Sequence, residues 1–221
     1  MPFRIPFAGE GEIFTPDSVL SHCYGALLPM FTTKEATTLR QLCREFKSTV
    51  AEFPWEDEKT VIMGSVAAWM ACFPKARWAN VTQWHRMTSV VDADFVHFVG
   101  LRRLNMSWCH SITDAAFVHL RGIHTLEMTA CYQNTITDAA FESLKGIHSL
   151  CLWHCTQLTS AVITHLKGVK RLDIGKCSQL NITDDSLQGI EWLGIYEHSQ
   201  AQVEQAESLG YPVDQRLHYG T

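Results

Sequence analysis

The chain has 221 residues, 46% of them hydrophobic, with 18 Lys and Arg against 23 Asp and Glu and a formal net charge of −5 at pH 7. That apolar share can build a sizeable core, for one large domain or for a small domain joined to a repeat array. The acidic balance and the lack of a long basic run give no electrostatic ground for a nucleic acid or an anionic membrane surface as partner. In chain order, residues 1–15 form an N-terminal extension in which prolines break Met1-Pro2-Phe3-Arg4-Ile5-Pro6-Phe7. No sustained apolar run is present there, so neither a signal peptide nor a membrane span is expected, and the expected home is cytoplasmic or nuclear.

Residues 16–76 carry helical periodicity. Val19, Leu20, Cys23, Ala26, Leu27, Met30 and Phe31 recur at helical spacing across Gly25 and Pro29, which predicts one or two short helices. Thr32-Thr33-Lys34-Glu35 has the spacing of a capping box. The helix it starts is expected to be continuous to Pro54, with Ala36, Leu39, Leu42, Cys43, Phe46, Val50 and Phe53 in one apolar stripe.

Within this region Leu27-Leu28-Pro29-Met30-Phe31, Thr33-Lys34-Glu35-Ala36, Leu39-Arg40-Gln41-Leu42-Cys43-Arg44-Glu45-Phe46 and Trp55 resemble an F-box. The resemblance covers about forty residues. It implies docking on the small adaptor of cullin-based ubiquitin ligases, through an apolar patch drawn from Val19, Leu20, Leu27, Leu28, Met30 and Phe31. The other reading is a helical cap over the open edge of the repeats in residues 77–199.

Ser65 to Phe73 reads as a further helix with Val66, Trp69, Met70 and Phe73 inward, closed by Pro74. Residues 77–199 then repeat one pattern. Gly100, Gly122, Gly146, Gly168 and Gly189 stand 22, 24, 22 and 21 residues apart, and each precedes an alternating pair: Leu104/Met106, Leu126/Met128, Leu150/Leu152, Leu172/Ile174 and Leu193/Ile195. Cys109, Cys131, Cys155 and Cys177 come after them at a fixed offset, which His198 occupies in the last unit. Polar caps come next, at Thr113-Asp114, Thr137-Asp138, Thr159-Ser160 and Thr183-Asp184. Period-two alternation predicts a strand, and the Thr and Asp residues predict a helix N-terminus. Ala79, Val81, Trp84 and Val90-Val91-Asp92 give a degraded first unit, and residues 200–221 a polar helix as C-terminal cap.

This Leu-x-x-Leu-x-Leu-x-x-Cys-x-x-Ile-Thr-Asp wording resembles the leucine-rich repeat family, in its cysteine-containing class. The expected fold is therefore α/β: a leucine-rich repeat solenoid, parallel sheet inside and helices outside, with an N-terminal all-helical F-box-like cap.

The four periodic cysteines are expected to be buried, reduced thiols. Cys151, His154 and Cys155 lie close together in sequence, but their alternation points them to different faces, so no metal is assigned. No cofactor is expected. Phosphate-loop, nucleophile-elbow and zinc-protease motifs are absent from the sequence, and the Asp residues read as caps, so the chain reads as no enzyme.

Strand positions that alternate with the core leucines should line the inner face. There the candidate partner-binding residues are Arg103, Asn105, Glu127, Trp153, Arg171, Asp173, Trp192 and Tyr196, which differ from unit to unit on a constant scaffold. The function expected is a non-catalytic protein-interaction module, an F-box-like substrate receptor that presents a bound protein to a cullin-based ubiquitin ligase. The alternative is a repeat scaffold or structural subunit of a larger assembly. The expected partners are a protein on the inner face and the cullin adaptor at the N-terminal helices, with no nucleic acid and no membrane.

Overall fold

The computed structural model describes residues 27–42, 44–83, 89–182 and 187–215. The expectations for residues 1–15, Val19, Leu20, Cys23, Cys43, Trp84 and Thr183-Asp184 lie outside the described residues.

The repeats fold as an α/β array whose strands form one seven-stranded parallel sheet in sequence order. The strands are β1 (Trp78–Asn80), β2 (Arg103–Asn105), β3 (Thr125–Glu127), β4 (Ser149–Cys151), β5 (Arg171–Asp173), β6 (Trp192–Gly194) and β7 (Val213–Asp214). The register stacks Ala79, Leu104, Leu126, Leu150, Leu172, Leu193 and Val213 on successive strands. The five leucines of this row are buried, and the residues flanking each in β2 to β4 are half-exposed, as alternation requires. β7 was not foreseen. It comes after the C-terminal helix Gln200–Ser208 and Gly210, and closes the sheet as a further, shortened unit.

The outer elements are tighter than expected. Asp114–Phe117 makes one α-turn, but Asp92–Phe98, Val118–Leu120, Asp138–Leu144 and Ser160–His165 are 3₁₀ helices. The repeats explain this: few residues remain between the Thr cap and the glycine. A 3₁₀ helix rises about 2.0 Å per residue against about 1.5 Å for an α-helix, so it spans the layer with fewer residues. Each glycine turn has φ between 78° and 86°, the left-handed region expected there.

Three ladders tie unit to unit. Thr113, Thr137 and Thr159 each cap a helix, accepting from Ala115, Ala139 and Ala161 N–H. The acidic residues do more than face a helix dipole. Asp92 accepts the Thr113 N–H and hydroxyl (2.8 and 2.7 Å), Asp114 those of Thr137 (2.7 and 2.6 Å), and Asp138 those of Thr159. In the next unit the Ser160 hydroxyl accepts from Asn181 N–H.

The second ladder is the cysteines, which are fully buried. Each thiol donates to a carbonyl one unit back: Cys109 to Val81, Cys131 to Met106, Cys155 to Met128 and Cys177 to Leu152, at 3.1–3.4 Å. His198 Nε2 takes this place in the last unit, 2.9 Å from the Ile174 carbonyl. The third ladder is glutamine: Gln133, Gln157 and Gln179 donate to the Cys109, Cys131 and Cys155 carbonyls.

The N-terminal region has its own core of Leu28, Ala36, Val50, Trp55, Phe73 and Ala76. The Thr32–Glu35 capping box forms, and Ser65 caps the helix Val66–Cys72. The continuous helix expected from Ala36 to Phe53 is two helices, Thr33–Leu39 and Arg44–Glu52. Thr37 and Thr38, both β-branched, weaken the first, and the Thr37 hydroxyl bonds back to the Thr33 carbonyl at 2.9 Å. Arg40 then leaves the helix to donate to the Cys72 carbonyl and to lie 5.9 Å over the Phe73 ring. Leu42 consequently faces solvent at 65% exposure, outside the stripe assigned to it. Ile62 and Val66 belong to the core of the array, and Trp69 packs against both cores.

Candidate protein-binding surfaces

The inner face is built by the short strands and the turns that succeed them. In each turn one non-glycine residue is left-handed: Trp108, Ala130, His154, Lys176 and Glu197, with φ from 55° to 64°. Such residues cost about 1–3 kcal/mol each and persist where surrounding bonds over-determine them. Here they do, since the N–H groups of Trp108, Ala130, His154 and Lys176 donate to carbonyls of the next unit at 2.8–2.9 Å.

At the β1 end, Arg103 reaches Glu58 at 3.4 Å and lies 5.5 Å over the Trp78 ring. Asn105 accepts from the Thr82 hydroxyl (2.8 Å) and donates to Glu127 Oε2 (2.7 Å). Burial pushes the Glu127 carboxyl above its ordinary range, the Glu58 charge adds to this, and Arg103 opposes it. Cys151 lies on this face beside the Thr129 hydroxyl at 3.4 Å, its thiol pushed up to about 12 by burial, with Asp173 adding. The polar middle of the face is thus largely committed to itself.

Toward the C-terminal units the character changes from polar pairing to a flat aromatic platform. A Cβ on Gly175 would meet Trp153 Cδ1 at 2.8 Å, and one on Gly194 would meet Trp192 Cη2 at 2.6 Å. The glycines therefore leave the room in which the two indoles lie against the sheet. Lys176 Nζ sits 4.9 Å over the Trp153 ring and pairs with Glu197 at 3.4 Å, while the Arg171 guanidinium lies 5.0 Å over Trp192. Asp173 accepts from Gly175 N–H, and Trp192 Nε1 donates to Asp214 at 3.3 Å. Tyr196, half-buried, completes this end. Trp153, Arg171, Asp173 and Trp192 therefore come together around the two indoles, with Tyr196 in the turn after β6. Arg103, Asn105 and Glu127 form a separate polar group on β2 and β3.

One row escaped the sequence reading. Trp108, His110, Tyr132, His154 and Trp153 succeed one another along the rim after the strands, with successive ring centroids 6.3, 4.9, 5.8 and 5.5 Å apart. Tyr132 is 45% exposed. The signal was the run of aromatic residues immediately before and after the periodic cysteines, at positions that alternation alone does not place on a face.

At the N-terminal region Leu27, Met30 and Phe31 are exposed by 49%, 78% and 36%. Leu28 is buried at 2% against Ala36, Val50, Trp55 and Phe73, so it anchors the short 3₁₀ turn Leu28–Met30 and leaves the apolar patch. A groove of about 730 Å³, lined by residues that include Thr33, Thr37, Ile62, Met63, Trp69 and Phe73, runs between these helices and the 59–65 segment.

Among the described residues no group of three or more His, Cys, Asp or Glu side chains is placed to hold a metal ion. No described helix is long and apolar enough to cross a membrane.

No protein-family model and no curated protein matches the chain at a significant level. Among solved structures the chain is similar to one in the crystal structure of the Rad7 and Elc1 complex in yeast, with a TM-score of 0.36 and 15% identity over 57% of this chain and 44% of that one. The chain thus spans less than half the length of that protein.

Proposed function

We propose that the chain is a non-catalytic protein-interaction module of the leucine-rich repeat type, acting in the cytoplasm or nucleus. Its inner face holds a protein, and its F-box-like N-terminal helices dock the small adaptor of a cullin-based ubiquitin ligase. The observation that carries this reading is the contrast along the sheet. The buried positions repeat unit after unit, while the outward positions on the same strands change from Arg103 and Asn105 to Arg171 and Trp192. Aromatic and arginine side chains on a rigid platform are the residue types that anchor protein interfaces. The exposure of Leu27, Met30 and Phe31 supports the docking part.

A second reading, a scaffold subunit whose N-terminal helices only cap the array, is favoured by the burial of Leu28 and by Trp69 bridging the two cores. Co-purification separates the two: the receptor reading expects the adaptor to come down with the chain and to be lost in Met30→Asp with Phe31→Asp. Recovery of inner-face partners without the adaptor would favour the scaffold. On the platform, Trp153→Ala should weaken capture of whichever protein is recovered by about 2 kcal/mol or more, measured by titration calorimetry. If Trp153→Ala instead melts the chain as much as Leu150→Ala does, the indole belongs to the core and the inner-face reading falls.

A further inference from the structure

The net charge of −5 hides a segregation that the register creates. The carbonyls of Arg102, His124 and His148 each accept the two N–H groups that open the next strand, at 2.9–3.1 Å. Residues at this position therefore stand in one row across the entry ends of the strands, about 5 Å apart. By the same bond pattern the row runs from Arg77 through Arg102, His124, His148 and Lys170 to Glu191. Beside it Arg121, Lys145 and Lys167, all exposed, directly precede the glycine turns. The opposite rim, after the strands, carries Asp92, Asp114 and Asp138 in the threonine ladder.

Few acids face the basic rim. Glu56 pairs with Arg77, Glu58 with Arg103 and Glu191 with Lys170, which places the acids at its two ends. Asp114, at the helix start, and Glu142 line one shallow groove with Arg121 and Lys145. Among the described residues Arg102, Arg121, Lys145 and Lys167 have no acidic partner within 4 Å. In the middle, the His124 and His148 rings stack with centroids 4.4 Å apart and planes 21° apart, and the Thr125 hydroxyl lies 3.1 Å from His124 Nδ1.

We propose that this rim binds a short, extended acidic peptide segment whose carboxylates lie along the Arg102 to Lys170 row, with a grip that strengthens on acidification. Length favours a peptide. From Arg102 to Lys170 is three strand spacings, about 15 Å, which an extended chain covers in about five residues. A nucleic acid or a membrane surface carries its charge far beyond that span.

The pH dependence arises from the stacked imidazoles. Burial holds His124 below its ordinary value, with His148, Arg102 and Arg103 adding, so at neutral pH the His124 ring in the middle of the row is uncharged. Acidification, or a carboxylate placed over the pair, charges it and makes the row continuous. This surface is separate from the aromatic platform and does not depend on the reading of that platform.

The test is fluorescence anisotropy of a labelled peptide of five glutamates with the full chain, at pH values about one unit above and below the ordinary imidazole value of about 6.5. Binding should tighten on acidification and weaken with added salt. Lys145→Gln with Lys167→Gln, both exposed, should weaken it about threefold per substitution. His124→Gln with His148→Gln should abolish the gain on acidification. Trp153→Ala should leave it unchanged, so failure here and failure at the platform are told apart. Equal or tighter binding of a thymidine oligonucleotide or an anionic phospholipid vesicle would overturn the peptide assignment. Indifference to the Lys→Gln pair would overturn the site.

Discussion

The two cores of this chain are held by different kinds of bond. The array is stitched by repetition: a leucine row, a thiol-to-carbonyl row, an Asp-to-Thr row and a glutamine row, each contact a copy of the one before. The N-terminal region is held by contacts that occur once. The Trp55 ring meets Phe53 and Phe73 edge-on at 4.8 and 5.7 Å, its Nε1 donates to the Val50 carbonyl, and Asp57 accepts from Thr33 N–H and hydroxyl. Losing one rung of a repeated ladder leaves its neighbours in place. Losing a contact made once leaves nothing equivalent.

Trp55→Ala tests this most severely. It should cost about 3–5 kcal/mol, and hydrogen exchange should show lost protection in residues 27–55 while the strands of the array stay protected. Simultaneous loss in the array would show that the shared Trp69 welds both cores into one cooperative unit. Leu150→Ala comes next, at about 2–5 kcal/mol, measured by urea denaturation. Its effect should be centred on the units joined by β3, β4 and β5, because stability in such arrays is a sum of unit and nearest-neighbour terms.

A smaller effect is expected of Asp114→Ala, which removes both bonds to Thr137 and a negative charge at a helix start. About 1–2 kcal/mol is expected, since the carboxylate is partly solvated. No change in the thermal midpoint would make this ladder an ornament of the surface.

The smallest effect sharpens the comparison within the array itself, at the one rung where histidine replaces cysteine. Burial lowers the His198 pKa against the opposing pull of the Ile174 carbonyl and Asp173. A depressed imidazole contributes stability above its unfolded value of about 6.5, and that contribution is lost as pH falls through the folded value. His198→Cys should therefore reduce the loss of stability on acidification and change little at neutral pH. The periodic thiols point the same way. Burial raises Cys131 to about 12 and Cys177 to about 11, so native alkylation near neutral pH should be slow at every rung.

The separation of ladder from single contact also explains what could be read in advance. Leu104, Leu126, Leu150, Leu172 and Leu193 fixed the strands, the glycines fixed the turns, and Thr113 and Thr137 fixed the helix starts. Each of these acts through neighbours in sequence or through a period that repeats. The same periodicity located the inner face and the buried thiols. It could not say that Asp114 belongs to Thr137 of the next unit, that Gln133 reaches the Cys109 carbonyl, or that Gly175 and Gly194 make room for indoles. Apart from Gly194, two residues beyond Trp192, those pairings join residues about one repeat apart, and only the stacking distance decides them. Nor could it break the helix after Leu39, where Arg40 finds Cys72 and Phe73 from across the domain, or bury Leu28 while leaving Leu27 and Met30 in solvent. Sequence alone determined the period, the alternation and the caps, because these are local and repeated. Tertiary structure alone decided the segregation of basic and acidic residues to opposite rims, because charges scattered along the chain become neighbours only when parallel strands set them side by side.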